Sequence, residues 1–136
     1  MKFVVDTNII LSALIKDSLS REILTNFKFD FFTSSFALSE ITKYREYVCK
    51  KASLTEEQFN SILKKIFEYI EVVNSDSYHN SIAEASVLIE DTKDIPFLAC
   101  AIFLGANILS EDRHFNKQSK VKVFGVNEFV KTFLKN

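Results

Sequence analysis

The 136-residue chain is 47% apolar and 26% charged, which excludes disorder as its main state and predicts a single domain over residues 1–136 with a core of its own. Its 2 Gly and 1 Pro are too few for a turn-dense all-β sandwich. Lys and Arg total 17 against 18 acids, a net charge of −1, so there is no broad basic surface for a long grip on nucleic acid, and only brief or local phosphate contact fits.

Lys2–Asp6 (KFVVD) reads as a buried strand, a β-branched run closed by an acid. Thr7–Ile15 follows with helical character and has Thr7 or Asn8 as N-cap. A second helical piece is predicted over Ser20–Phe27, after a break at Asp17-Ser18, and then a strand over Phe29–Thr33. Ser34 or Ser35 caps a helix running to about Lys51, in which Ala37, Ile41, Tyr44 and Val48 form one apolar stripe. Thr55 with Gln58 has the form of a capping box and opens a helix through about Ile70, with Glu71–Val73 as a third strand.

A helix through Ser81–Ile89 and a loop at Asp91-Thr92-Lys93-Asp94 come next. Pro96 suits the first turn of a further helix and Gly105 its stop. Asn107–Ser110 is strand-like and runs into Glu111-Asp112; Val121–Phe124 is a last strand, and Asn127 caps a short terminal helix. Strands alternating with helices predict an α/β fold, a central parallel sheet flanked by helices in an α/β/α sandwich.

Several residues read as structural. Cys49 and Cys100 lack metal-ligand or redox spacing and sit in apolar helical patterns, as buried free thiols do. Phe27, Phe29, Phe31, Phe32 and Phe36 are assigned mostly to the core, with one or two left for a dimer surface. The pairs Lys50-Lys51 and Lys64-Lys65 belong on solvated helix faces, and His79 on the surface. Met1-Lys2 runs straight into a strand without a signal-peptide pattern, and no apolar run nears the ~18 residues of a membrane span, so the expected compartment is the cytoplasm.

Open parallel sheets carry their sites at the carboxyl ends of the strands. Asp6 and Asp112 occupy such ends; Asp94 lies just before Pro96, at a helix N-terminus; Glu40 falls on the flank of the stripe defined above, about 60° from its centre. Taken singly, each acid has a plain explanation as a cap, turn residue or solvated flank. Together they can fall at one end of the sheet. Clustered carboxylates repel unless a cation compensates, and oxygen donors without Cys or clustered His select Mg²⁺ or Mn²⁺. Such ions suit phosphodiester hydrolysis.

The segments VVDTNIILSALI, FALSEI, DTKDIPFLACAIFLGANILSEDRHF and VFGVNEFV, taken in order, resemble a PIN domain over essentially the whole chain. By pattern they are most similar to VapC-type toxin ribonucleases of prokaryotic toxin–antitoxin pairs and to stand-alone PIN proteins. The resemblance implies a metal-dependent endoribonuclease with an acidic site at Asp6, Glu40, Asp94 and Asp112 that binds one or two Mg²⁺ or Mn²⁺ ions. Asp6 would be the central ligand, Asp94 and Asp112 would complete the set, and Glu40 would hold a second ion or a water. Thr7, Asn8 and Ser110 match positions that orient the carboxylates by hydrogen bonding. The family's stretch before Phe-Leu-Ala often holds three acids; Lys93 replaces one here, which makes Asp91 a further candidate. Arg113 and His114 are candidates for a substrate phosphate, with a solvated loop as the equal alternative.

The implied partners are an RNA substrate, a second copy in a homodimer, and a small antitoxin whose peptide covers the acidic groove. Two rival readings stand beside this one. A PIN fold without catalysis would serve as a binding module for RNA or protein. A receiver-like signalling domain shares the size, but Asp6 is followed by Thr7-Asn8 where receivers carry paired acids, and no Lys-Pro pair follows the last strand.

Overall fold

A computed structural model describes residues 1–15 and 18–134. Its centre is β1 (Lys2–Val5), whose Phe3, Val4 and Val5 are wholly buried, as expected of a strand covered on both faces. The chain continues through α1 (Thr7–Ile15), α2 (Leu19–Leu24), β2 (Asp30–Ser34), α3 (Phe36–Ala52), α4 (Glu56–Ile66) and β3 (Ile70–Val73). Then come α5 (Ser75–Tyr78), a 3₁₀ turn, α6 (Ile82–Leu88), α7 (Ile95–Leu104), β4 (Asn107–Leu109), a second 3₁₀ turn (Arg113–Lys117), β5 (Val123–Phe124) and α8 (Val126–Phe129). The sheet is five-stranded and all-parallel, in the order β3-β2-β1-β4-β5. The predicted helix-flanked parallel sheet is the architecture found.

After β1 the sheet grows first towards β2 and β3, and β4 then returns to the other side of β1. The reversal opens a crevice between the carboxyl ends of β1 and β4, where ligand sites collect in sheets of this kind. Phe3 anchors the core beneath, its ring 5.0 Å from Phe129, 5.5 Å from Phe133 and 5.9 Å from both Phe29 and Phe124. These edge-on contacts join the first strand to the start of β2 and to the last elements of the chain.

Thr55 and Gln58 form the capping box of α4. Pro96 lies in the first turn of α7, and Gly105 closes that helix at φ +63°, with Ala106 N–H donating to the Ala101 carbonyl at 2.9 Å. α3 closes in the same way on Ser53 at φ +54°.

Other boundaries differ. α4 ends at Ile66 rather than near Ile70, because Ile70 is drawn into the sheet opposite Phe31. α2 covers Leu19–Leu24 rather than Ser20–Phe27: Ser18 caps it by accepting from Arg21 N–H, and Phe27 is left 86% exposed; Asp17, half of the predicted break, lies outside the described residues. α5 was not anticipated; its signal is Asn74, whose side chain accepts from Asp76 N–H at 3.0 Å. Asn127 lies inside α8 and does not cap it. The Val126 N–H there is met by Glu111 Oε1 at 2.7 Å.

The α3 stripe holds for Ala37, Ile41 and Val48, but Tyr44 is exposed. Cys49 and Cys100 are free thiols, Cys49 half-buried and Cys100 fully buried, and burial pushes the Cys100 thiol up to about 12. Among the described residues, no helix is long and apolar enough to cross a membrane.

Candidate active site

Asp6 extends the pairing of β1 with β4 by donating its N–H to the Leu109 carbonyl at 3.0 Å, and its own carbonyl accepts from Ile9 N–H as α1 begins. Its carboxylate is held at both oxygens. Oδ1 accepts from Thr7 N–H at 2.8 Å; Oδ2 accepts from the Ser110 hydroxyl at 2.7 Å and the Asn8 side-chain amide at 3.1 Å. Burial raises its pKa from 3.8 to about 6, with Glu40 and Asp112 adding repulsion against the lowering effect of the Ser110 and Thr7 bonds. Asp6 therefore fills the cap position predicted for Thr7 or Asn8, and those two residues orient its surroundings instead.

Asp94 directly precedes α7 and is 6% exposed. Its side chain makes no capping bond to the helix, so the plain explanation for a helix-terminal aspartate does not hold here. Its Oδ2 is buried without a hydrogen-bond partner among the described residues. Burial first, then repulsion from Asp112, Asp91 and Asp6, raises its pKa from 3.8 to about 7, with His114 opposing. A buried carboxylate oxygen without a donor calls for a cation or a proton.

Asp112 follows β4. Its N–H donates to Ser110 Oγ at 2.9 Å, and its Oδ1 accepts from His114 N–H at 2.9 Å, capping the 3₁₀ turn. The turn role and a place in the cluster are thus compatible. Glu40, one turn into α3, reaches the same region through Thr7, whose hydroxyl donates to Glu40 Oε1 at 2.6 Å. Ser110 serves both Asp6 and Asp112, and Asn8 Nδ2 is 3.4 Å from its hydroxyl.

Asp6, Glu40, Asp91, Asp94 and Asp112 line one cleft of about 340 Å³. The acids singled out from the sequence are brought together there, Asp91 included. Asp91 shapes its own turn, accepting from Lys93 N–H at 2.9 Å, while its other oxygen lies 3.7 Å from His114 Nδ1. Arg113 is placed elsewhere: it lines an adjoining hollow of about 400 Å³ with Asn116 and Asn127. The cleft also contains Tyr44, whose helical spacing is that of a core residue, together with Lys93 and His114. His114 Nδ1 lies 3.4 Å from Asp112 and 3.7 Å from Asp94.

The donor set fits a hard divalent ion. Five carboxylates line the cleft, two of the acids are raised far above their ordinary pKa, and one buried oxygen has no hydrogen-bond partner among the described residues. Asp91 and Asp94 offer carboxylate oxygens within 4.8 Å of each other, and Asp6, Glu40 and Asp112 line the same cleft.

Comparison with curated protein sequences gives no match. In three dimensions the chain is similar to one in the crystal structure of VapBC2 from Rickettsia felis bound to a DNA fragment from their promoter. The TM-score is 0.66, with 20% identity over 92% of this chain and 98% of that one. At that identity the likeness concerns the fold. The family profile of the PIN domain matches residues 4–124, which takes in every acid of the cleft, and the chain belongs to the PIN domain family.

Proposed function

We propose that this chain is a metal-dependent endoribonuclease that hydrolyses RNA phosphodiester bonds at the acidic cleft. The observation that carries the reading is the buried, partnerless Oδ2 of Asp94 in a cleft shared with Asp6, Glu40, Asp91 and Asp112. A Mg²⁺ or Mn²⁺ ion bound there would acidify water and offset the charge that develops on a phosphate. The chain's own residues do the positioning. Thr7, Asn8 and Ser110 fix the Asp6 carboxylate in one orientation, and Ser110 sets the start of the Asp112 turn. Glu40 gives one oxygen to Thr7 and keeps the other for a water or a second ion. Lys93 lies at the same cleft, where it can meet a substrate phosphate.

In this reading the protein is the toxin of a toxin–antitoxin pair, works as a homodimer in the cytoplasm, and is silenced when a small antitoxin covers the cleft. Membership of the PIN domain family and the fold likeness to VapBC2 support it. The test is a cleavage time course on structured and single-stranded RNA with Mn²⁺, Mg²⁺ or EDTA, comparing wild type with Asp6→Asn. Metal-dependent cutting that the substitution abolishes is expected. A folded wild type that binds metal and cuts neither RNA would turn the reading towards a binding module.

A further inference from the structure

We propose that His114 is a metal ligand, forming with Asp91 and Asp94 a mixed nitrogen–oxygen position that prefers Mn²⁺ to Mg²⁺. The inference rests on the reading of the acidic cleft as a metal site and adds to it a donor of another kind. One ligand atom from each of Asp91, Asp94 and His114 lies within 4.8 Å of the others, a spacing that a single ion can bridge. The carboxylate atom that Asp94 turns towards His114 Nδ1, at 3.7 Å, is Oδ2, the buried oxygen without a hydrogen-bond partner among the described residues. At that distance the imidazole does not satisfy it by a hydrogen bond. The same nitrogen is 3.7 Å from Asp91 Oδ2.

Local structure holds this arrangement from both sides. Asp91 and Asp94 belong to one turn, in which Asp94 N–H donates to the Asp91 carbonyl at 3.0 Å and Asp91 Oδ1 accepts from Lys93 N–H. That leaves Asp91 Oδ2 facing His114. The histidine backbone is pinned in turn by its N–H bond to Asp112 Oδ1, which sets where the ring can reach. Its side chain is 57% exposed, so the position opens to solvent and ions can enter.

Mg²⁺ takes oxygen donors and gives up water reluctantly, whereas Mn²⁺ accepts imidazole more readily. A nitrogen donor at the edge of a carboxylate cluster therefore biases the choice of ion. His79 is the only other histidine and sits on a separate 3₁₀ turn outside the cleft.

The experiment measures Mn²⁺ and Mg²⁺ binding by calorimetry for wild type and His114→Ala, with pulsed EPR of the Mn²⁺-loaded wild type to detect coupling to ¹⁴N. The expected result is histidine nitrogen coupling in wild type, lost in the variant. Mn²⁺ affinity should fall by roughly 10-fold or more, while Mg²⁺ affinity changes less than about 2-fold. Mn²⁺ binding without nitrogen coupling and with unchanged affinity in His114→Ala would overturn the inference and leave the carboxylate site standing. A wild type that binds neither ion would overturn both. The EPR arm needs no substitution, so its outcome does not depend on whether the variant folds.

Discussion

The Ser110 hydroxyl donates to Asp6 Oδ2 at 2.7 Å, joining residues 104 positions apart at the carboxyl ends of the two strands flanking the crevice. Ser110 Oγ in turn accepts from Asp112 N–H, so one small side chain aligns two acids of the cluster. Ser110→Ala removes a bond to a charged acceptor and orphans a backbone donor. It should cost about 1.5–3 kcal/mol in urea denaturation at pH 8 with EDTA. Because the Ser110 bond lowers the Asp6 pKa, NMR titration of the variant should place that pKa above the wild-type value of about 6. A cost below about 0.5 kcal/mol would mean that the bond contributes little.

Asp94→Asn should stabilise the metal-free protein at neutral and higher pH. The carboxyl has a folded pKa of about 7 against 3.8 for the free group, so between those values the folded state holds a proton that the unfolded chain has released. The stability tied to that proton is fully present below about pH 4 and is lost as pH rises through 7. An uncharged amide escapes the loss. Thermal melts in EDTA should show a gain of roughly 1–2 kcal/mol near pH 8 and almost none near pH 4. Equal effects at both pH values would contradict the sign argued here.

Mn²⁺ should raise the melting temperature, and EDTA should reverse the effect. At a free concentration 100 times the dissociation constant the stabilisation is about 2.7 kcal/mol. Protons compete for the raised carboxyls Asp6 and Asp94, so the gain should be larger at pH 8 than at pH 5. Differential scanning fluorimetry over both variables checks this, and a pH-independent shift would place the ion elsewhere.

Glu111→Ala should loosen the turn that carries Asp112. Glu111 ties the segment after β4 to the start of α8 through Val126 N–H, and it packs close to Gly125, where an added Cβ would lie 3.3 Å from Oε2. Loss of this capping contact should cost about 1 kcal/mol in urea denaturation, with Gln retaining most of the stability because its amide oxygen can still accept.

Phe129→Ala should be far more severe. Its fully buried ring lies 5.0 Å from Phe3 and 4.9 Å from Phe29. Removing it should cost about 3–5 kcal/mol, measured by chemical denaturation, since Phe3 and Phe31 beside it are fixed in the sheet and cannot close the space.

The sheet and its acids were legible because each rests on a local signal. Phe3, Val4 and Val5 form an apolar run closed by Asp6, and Pro96 and Gly105 bracket a helix by backbone constraint alone. Ile70 was misassigned because one buried isoleucine satisfies either period, and its pairing with Phe31 is settled at long range. Tyr44 has the spacing of a core residue, yet the helix turns it towards a cleft whose other walls come from distant segments. The standing of Asp94 as a partnerless buried acid, and the approach of His114 to it, depend on the packing of two separate turns. No periodicity reports that.

Placing β1 between β2 and β4 also sets an order of events during synthesis. Phe3 pairs with Asn107, so about a hundred residues must leave the ribosome before the central strand can acquire its second neighbour. Until then one edge of β1 is open, and Asp6 lacks both the Leu109 carbonyl and the Ser110 hydroxyl. The rings of Phe124, Phe129 and Phe133 reach Phe3 later still. Asp112 therefore joins the other acids only after β4 has docked.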